Sequence, residues 1–159
     1  MTRLTAILPD EAATLALGAA LAKSVEPGLT VFLHGELGAG KTTLVRAVLR
    51  GLGYEGRVKS PTYALVELYD VSRLHLYHFD FYRFRDPREW IAAGFAENFG
   101  GRNVCLVEWP EKAAGSLPPQ DLDVCLEFQD AGRVVRLDSR TPLGARVLAS
   151  LRSHFPQGP

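Results

Sequence analysis

Cysteines and long apolar runs are both scarce in this chain of 159 residues. Cys105 and Cys125 are the only cysteines; each stands in an apolar run, and neither belongs to a C-x-x-C pair. We therefore expect buried free thiols of a reducing compartment rather than a disulfide. No apolar run approaches the roughly 18 residues needed to span a bilayer, and the first residues lack the regions of a signal peptide. These absences predict a cytoplasmic protein without membrane contact.

An excess of either charge is also missing. Eighteen basic residues balance eighteen acidic ones, so no global positive field favours a tight nucleic-acid complex. Any role with nucleic acid would then be indirect. The chain has no Asn-Lys-x-Asp element, which disfavours a guanine-nucleotide switch, and it has no internal repeat. Its length and composition predict a single domain over residues 1–155, with a frayed tail at residues 156–159.

The most informative segment present is Gly35–Thr42, which fits the pattern G-x-x-x-x-G-K-[ST] of a P-loop without a substitution. An apolar, β-branched run at 29–33 precedes it and a helical pattern at 43–50 follows it. A glycine-rich turn without a ligand is the alternative, but four fixed positions in this context favour a polyphosphate cradle. Lys41 is expected to reach the β- and γ-phosphates, and the Thr42 hydroxyl to ligate Mg²⁺. The predicted nucleotide-binding residues of this segment are Leu37, Gly38, Ala39, Gly40, Lys41, Thr42 and Thr43.

Nucleotide hydrolysis also requires acidic groups beside the phosphates. Asp80 and Glu108 each stand at the end of an apolar strand, where open α/β sheets bind ligands, so both are candidate metal ligands and catalytic acids. Which of the two binds the metal directly stays open. Thr62, in the loop at 57–63, is the candidate switch residue. The alternatives are a strand-end hydrogen bond for Asp80, a cap or ion pair for Glu108 and an ordinary turn for Thr62.

Periodicity along the rest of the chain predicts an α/β, P-loop NTPase-like three-layer fold with a mixed, partly parallel sheet. Asp10 is the expected N-cap of a first helix that ends near Ser24. The other predicted elements are strands at 2–8, 63–69, 74–82, 103–107, 122–128 and 133–138, a short helix at 86–94 and a final helix at 143–154.

Taken together, these motifs resemble the bacterial TsaE (YjeE) family of P-loop ATPases. The likeness extends from Leu8-Pro9-Asp10 to the hairpin near Arg133. It is carried by Gly35–Thr42, Ser60-Pro61-Thr62-Tyr63, His78-x-Asp80-x-Tyr82-Arg83 and Leu106-Val107-Glu108-Trp109-Pro110. It implies an ATPase that uses ATP and Mg²⁺, is weak alone and depends on the TsaB and TsaD proteins. Its implied task is to support the t6A37 modification of tRNAs that read codons beginning with A.

The resemblance also implies site roles. Lys41, Thr62, Asp80 and Glu108 would be catalytic, and Thr42, Asp80 and Glu108 would hold the metal. Trp109 would neighbour the nucleotide. The adenine would lie between the start of the first helix, at Asp10 and Glu11, and the late hairpin, at Arg133.

Two other functions stay open from the residues alone. A small-molecule kinase on the same loop would need an arginine-rich lid, for which Arg83, Arg85 and Arg88 are the local candidates. A non-hydrolytic nucleotide-sensing module would bind a partner when loaded with ATP.

Overall fold

The computed structural model describes residues 2–59, 65–71, 74–86 and 88–155. The predicted switch loop around Thr62 lies partly outside the described residues, and Thr62 itself is among those left out. The predicted helix start at Pro87 and the predicted frayed tail at 156–159 lie outside them as well. The single domain over residues 1–155 stays a prediction.

The described residues contain one seven-stranded sheet whose middle strand, β2, carries the P-loop. The strands are β1 (Arg3–Leu8), β2 (Thr30–His34), β3 (Val66–Val71), β4 (Leu74–Asp80), β5 (Val104–Glu108), β6 (Leu122–Gln129) and β7 (Gly132–Ser139), in the order β1-β7-β6-β2-β5-β4-β3. β2 pairs in parallel with β5 and β6, and β5 pairs in parallel with β4. The β1–β7, β6–β7 and β3–β4 pairs are antiparallel. The predicted mixed, partly parallel sheet is therefore confirmed.

Three longer helices pack beside the sheet: α1 (Glu11–Ser24), α2 (Lys41–Gly51) and α4 (Pro142–His154), and α1 contacts both of the others. A short helix, α3 (Glu89–Ala92), lies between α2 and α4 in the chain. α1 begins where the sequence predicts, because Asp10 Oδ1 accepts a hydrogen bond of 2.9 Å from the Ala13 amide. Among the described residues, no helix combines the length and apolarity that crossing a bilayer requires.

Two apolar clusters form the core. One is aliphatic and joins the three longer helices to the sheet, with Val31 and Leu106 among its buried members. The other is aromatic, contains Phe79, Phe81 and Trp90, and packs the segment around α3 against β4 and β5. Because both faces of β2 and β5 are covered, these strands read as continuous apolar runs rather than alternating ones.

The boundaries of β4 and α3 differ from those that the sequence predicts. β4 ends at Asp80 rather than at Tyr82, because Asp80 Oδ1 accepts the Tyr82 amide at 3.0 Å and turns the chain. α3 covers only Glu89–Ala92, since Gly94 adopts a left-handed φ of 78° and a 3₁₀ turn follows at Phe95–Asn98.

Both cysteines are free, as expected, but they differ in exposure. Cys105 in β5 is fully buried, and this burial raises the pKa of its thiol to about 12. Cys125 in β6 is only half-buried, which corrects the expectation of two buried thiols. Its neighbours alternate between the covered face and the more open face of β6, and Cys125 faces the open one.

Asp123, two residues before Cys125 on the same face of β6, is a buried carboxylate that links several elements. Asp123 in β6 accepts hydrogen bonds from His34 Nε2 at 2.8 Å, Arg140 Nε at 2.7 Å and Gln120 Nε2 at 3.0 Å. Burial by itself raises the pKa of Asp123, but the bonds from His34, Arg140 and Gln120 outweigh it and hold the pKa below its ordinary value. Asp123 therefore joins β2, β6 and the residue that follows β7.

Candidate functional site

The P-loop connects the end of β2 to the start of α2. Gly38 and Gly40 have φ angles of 82° and 111°, in the left-handed region that favours glycine. The first helical hydrogen bond of α2 runs from the Leu44 amide to the Gly40 carbonyl at 2.9 Å. The preceding amides of the first turn therefore have no carbonyl one turn back within the helix. Such amides, at the positive end of a helix, form a site for an anion.

Lys41 lies inside this loop. Its side chain is buried, its Nζ donates to the Gly35 carbonyl, and Nζ is 3.6 Å from the centroid of the Trp109 ring. Burial lowers the pKa of Lys41, while the negative charges of Glu108, Glu111 and Asp80 oppose that shift. The ammonium group is thus held at the centre of the candidate site.

Trp109 follows the last residue of β5 and has a left-handed φ of 57°. A non-glycine residue in this region costs free energy and is characteristic of functional turns. The turn places the indole against Lys41 and against the ring of Tyr82, whose centroid is 4.9 Å from that of Trp109. Trp109 and Tyr82 thus form an aromatic wall beside the lysine.

Glu108, the final residue of β5, connects the P-loop helix to β4. Its buried carboxylate accepts hydrogen bonds from Thr42 Oγ1 at 3.0 and 3.2 Å, and its Oε2 lies 2.6 Å from His78 Nε2. An ionised carboxylate only accepts, so His78 Nε2 carries the hydrogen of this bond. His78 Nδ1 has no partner in the part of the chain that the structure describes. The sequence left a helix cap or an ion pair as alternative roles for Glu108. The contact with His78 is an ion pair when the imidazole carries both protons.

Asp80 lies beside Glu108, because the two are register partners at the ends of the parallel strands β4 and β5. Burial raises the pKa of Asp80 and the nearby Glu108 adds to this, whereas the Tyr82 amide and the charges of His78 and Lys41 oppose it. The strand-end hydrogen bond that the sequence left open for Asp80 is present, since its Oδ1 accepts from the Tyr82 amide.

The oxygen donors at this edge suit a magnesium ion. Thr42, Asp80 and Glu108 supply one hydroxyl and two carboxylates, all hard ligands. Within residues 2–59, 65–71, 74–86 and 88–155, no group of three or more His, Cys, Asp or Glu residues is placed to hold a metal. Magnesium is ordinarily bound through one or two carboxylates together with water and phosphate oxygens, so the donor set fits this ion.

Two adjoining pockets surround the P-loop. The phosphate pocket, of about 260 Å³, is lined by Leu37, Gly38, Gly40, Lys41, Thr42, Thr43, Asp80, Tyr82, Glu108 and Trp109. The side pocket, of about 200 Å³, is lined by Leu8, Asp10, Glu11, Thr14, Gly38, Ala39, Gly40, Thr43, Ala131, Gly132 and Arg133. Because Gly38, Gly40 and Thr43 line both, the pockets form one groove over the loop.

Every predicted site residue that the structure describes lines this groove. Glu11, Ala39 and Arg133 lie in the side pocket, and the others line the phosphate pocket or both. Thr62 lies outside the described residues, so its placement stays a prediction. The sequence reasoning missed five lining residues: Leu8, Thr14, Tyr82, Ala131 and Gly132. Thr14 stands three residues after Glu11, so the helical repeat of α1 was a signal that could have found it.

Comparison with known proteins identifies relatives of this chain. A family model described as "Threonylcarbamoyl adenosine biosynthesis protein TsaE" matches residues 8–135. A tRNA threonylcarbamoyladenosine biosynthesis protein TsaE from Haemophilus influenzae is 41% identical over 155 residues, covering 94% of this chain and 98% of the relative. The protein of the same name from Bacillus subtilis is 41% identical over 120 residues, covering 75% and 73%.

A solved structure has the same architecture. The crystal structure of YdiB from Bacillus subtilis superimposes with a TM-score of 0.82 at 29% identity, covering 98% of this chain and 97% of that one. The described strands and helices are therefore those of a fold already observed experimentally.

Proposed function

Because the chain belongs to the TsaE family, we propose that it binds and hydrolyses Mg-ATP to support threonylcarbamoyladenosine biosynthesis in tRNA. One observation carries the proposal: the P-loop lysine and threonine meet two strand-end carboxylates in a single pocket. This combination of phosphate donors, metal ligands and a candidate base is what nucleotide hydrolysis requires.

Each side chain has a proposed role in this reaction. Lys41 and the first-turn amides of α2 bind the phosphates, and Thr42 and Asp80 hold Mg²⁺. Glu108 orients or deprotonates the attacking water, since Thr42 and His78 hold its carboxylate in a fixed position beside the proposed metal ligands. Magnesium, when bound, would neutralise charge on the β- and γ-phosphates.

The base is proposed to occupy the side pocket, beside Glu11 and Arg133. Thr62 is proposed to act as the switch that responds to the γ-phosphate or the metal, a role that rests on the sequence pattern alone.

The proposed partners are the TsaB and TsaD proteins, on whose complex the hydrolysis would act. This part of the proposal follows from the family resemblance, as does the modified tRNA position, t6A37. The balanced charge of the chain supports an indirect relation to tRNA. A role in tRNA modification is consistent with the proposed location of the protein, the cytoplasm.

The deciding experiment is steady-state phosphate release from Mg-ATP, measured with the protein alone and with a purified TsaB–TsaD pair. We expect slow release alone, faster release with the pair, and none with Lys41→Ala. A matched control is Lys23→Ala, which removes an exposed lysine from the last turn of α1, away from the groove.

Other outcomes would redirect the proposal. Release that requires a small acceptor molecule would favour a kinase. Nucleotide binding without any release, with or without the pair, would favour a sensing module. A rate of phosphate release that is the same with and without the TsaB–TsaD pair, whether or not tRNA is present, would refute the partner dependence.

A further inference from the structure

Arg133 is the second residue of β7, and its guanidinium binds backbone carbonyls of the P-loop. Nε donates to the Ala39 carbonyl at 3.0 Å and Nη2 to the Gly38 carbonyl at 3.2 Å. The third nitrogen, Nη1, donates to the carbonyl of Gly132 at 2.9 Å. Every nitrogen of the guanidinium is therefore engaged by a main-chain oxygen, and two of these oxygens belong to consecutive residues of the loop.

These two contacts fix the orientation of two peptide groups. In a trans peptide the carbonyl and the following N–H point in opposite directions. Because the Ala39 carbonyl accepts a hydrogen bond from Arg133, the N–H of Gly40 points away from the guanidinium. Because the Gly38 carbonyl does the same, the N–H of Ala39 also points away. The Ala39 amide donates to the Glu36 carbonyl at 3.0 Å and closes the turn of the loop.

We infer that Arg133 is a positioning residue of the P-loop, which holds the Gly38 and Ala39 carbonyls away from an incoming polyphosphate. The Gly40 amide is thereby kept available to the phosphates, while the Ala39 amide closes the turn. Arg133 lines the side pocket but not the phosphate pocket, as a support on the far side of the loop requires. The inference rests on the nucleotide binding of the proposed function. It gives Arg133 a different role from contact with adenine.

The arginine is itself held in place by the sheet. Its register partners are Leu8 in β1 and Phe128 in β6, so it belongs to a strand that is paired on both sides. Its Cζ lies 4.2 Å from the centroid of the Phe128 ring, a cation–π contact. A side chain at the preceding Gly132 would collide with the Leu8 carbonyl, so only glycine lets the hairpin approach β1 this closely. The guanidinium therefore reaches the loop from a rigid base.

The two roles for Arg133 predict different losses. A residue that contacts the base contributes only to ligands that have one, whereas a residue that orients the loop contributes equally to every polyphosphate. Calorimetric binding of Mg-ATP and of magnesium tripolyphosphate, which has no base, separates them. The test variants are Arg133→Met, which keeps the stem without its donors, and Arg133→Lys, which keeps the charge without the planar fork.

With Arg133→Met we expect the affinities for both ligands to fall by the same factor, about tenfold, for the loss of two charge-assisted hydrogen bonds that preorganise the loop. Arg133→Lys is expected to lose less. The matched control is Arg136→Met on the same strand. The Arg136 side chain forms an ion pair with Asp138 on the opposite face of the sheet, so its loss should leave both affinities unchanged.

Amide hydrogen exchange of the nucleotide-free protein gives a second readout. Because Arg133 holds the turn closed, exchange at the Ala39 amide should accelerate about tenfold in Arg133→Met, with exchange in β5 unchanged. Should Arg133→Met fail to fold, Arg133→Lys supplies both measurements.

Four outcomes decide the matter. Equal losses with faster exchange at Ala39 support the inference. A loss of affinity for Mg-ATP alone would show that Arg133 contacts the base and would overturn the inference. Unaltered affinities together with unaltered exchange would overturn it as well. If the unsubstituted protein binds neither ligand, nucleotide binding itself is refuted, while the exchange measurement still decides whether Arg133 holds the loop.

Discussion

Replacement of Glu108 by glutamine tests the proposed hydrolytic site most directly. The substitution keeps the shape of the side chain but removes its charge. Glu108 accepts hydrogen bonds from both Thr42 and His78, and one amide oxygen serves only one of these donors well. We expect hydrolysis to fall at least about tenfold, because an amide cannot accept the proton of the attacking water.

The structure also sets the expected effect on stability. In Glu108→Gln one donor, on the half-buried Thr42 or the fully buried His78, loses its partner, which costs about 1–3 kcal/mol of the free energy of unfolding. For a chain of this size that corresponds to a melting temperature lower by roughly 3 to 10 °C. Nucleotide affinity should change by less than about threefold, since Lys41 and the loop amides stay in place.

Three assays on the same preparation check these expectations. They are phosphate release at saturating Mg-ATP, ADP affinity followed through the fluorescence of Trp109, and thermal unfolding. The matched control is Glu97→Gln, which neutralises an exposed carboxylate in the 3₁₀ turn that follows α3. The reasoning would be refuted if Glu108→Gln hydrolysed ATP at the rate of the Glu97→Gln control. It would also be refuted if ADP affinity fell in parallel with the rate, because Glu108 would then serve binding rather than chemistry.

Three further outcomes follow from the fold. Since the pKa of Asp123 is lowered in the folded protein, its stabilising effect is complete above its unfolded pKa and is lost as the pH falls through the folded pKa. Asp123→Asn should therefore cost about 1–3 kcal/mol at pH 7. In denaturant titrations the difference should begin to shrink below about pH 4 and close as the pH falls through the lower folded pKa. A thiol reagent at pH 8 should label Cys125 in the native protein and Cys105 only after unfolding; rapid native labelling of Cys105 would contradict its burial. Asp10→Ala should lower the free energy of unfolding by about 1 kcal/mol through loss of the α1 cap, and an unchanged value would remove that role.

The P-loop and its flanking elements could be predicted from the sequence because their signals are local. The glycine and lysine positions of the loop fall within eight residues, and the cap of α1 depends on Asp10 and the amide three residues later. Continuous apolar runs also indicated buried parallel strands. The ends of β4 and α3 were less accurate, since a side-chain hydrogen bond and a left-handed glycine, rather than hydrophobic period, end those elements.

Only the tertiary structure decided which distant residues meet at the loop. The parallel register of β4 and β5 sets Asp80 beside Glu108, and the same register brings His78 to its carboxylate. Arg133, 94 residues from Ala39 in the chain, reaches the loop because β7 returns between β1 and β6. Local patterns report the conformation of a few neighbouring residues, whereas strand order and register depend on how the whole apolar surface is buried. The sequence thus determined that a P-loop motif is present between a strand and a helix, and the packing of the sheet determined which side chains surround and support it.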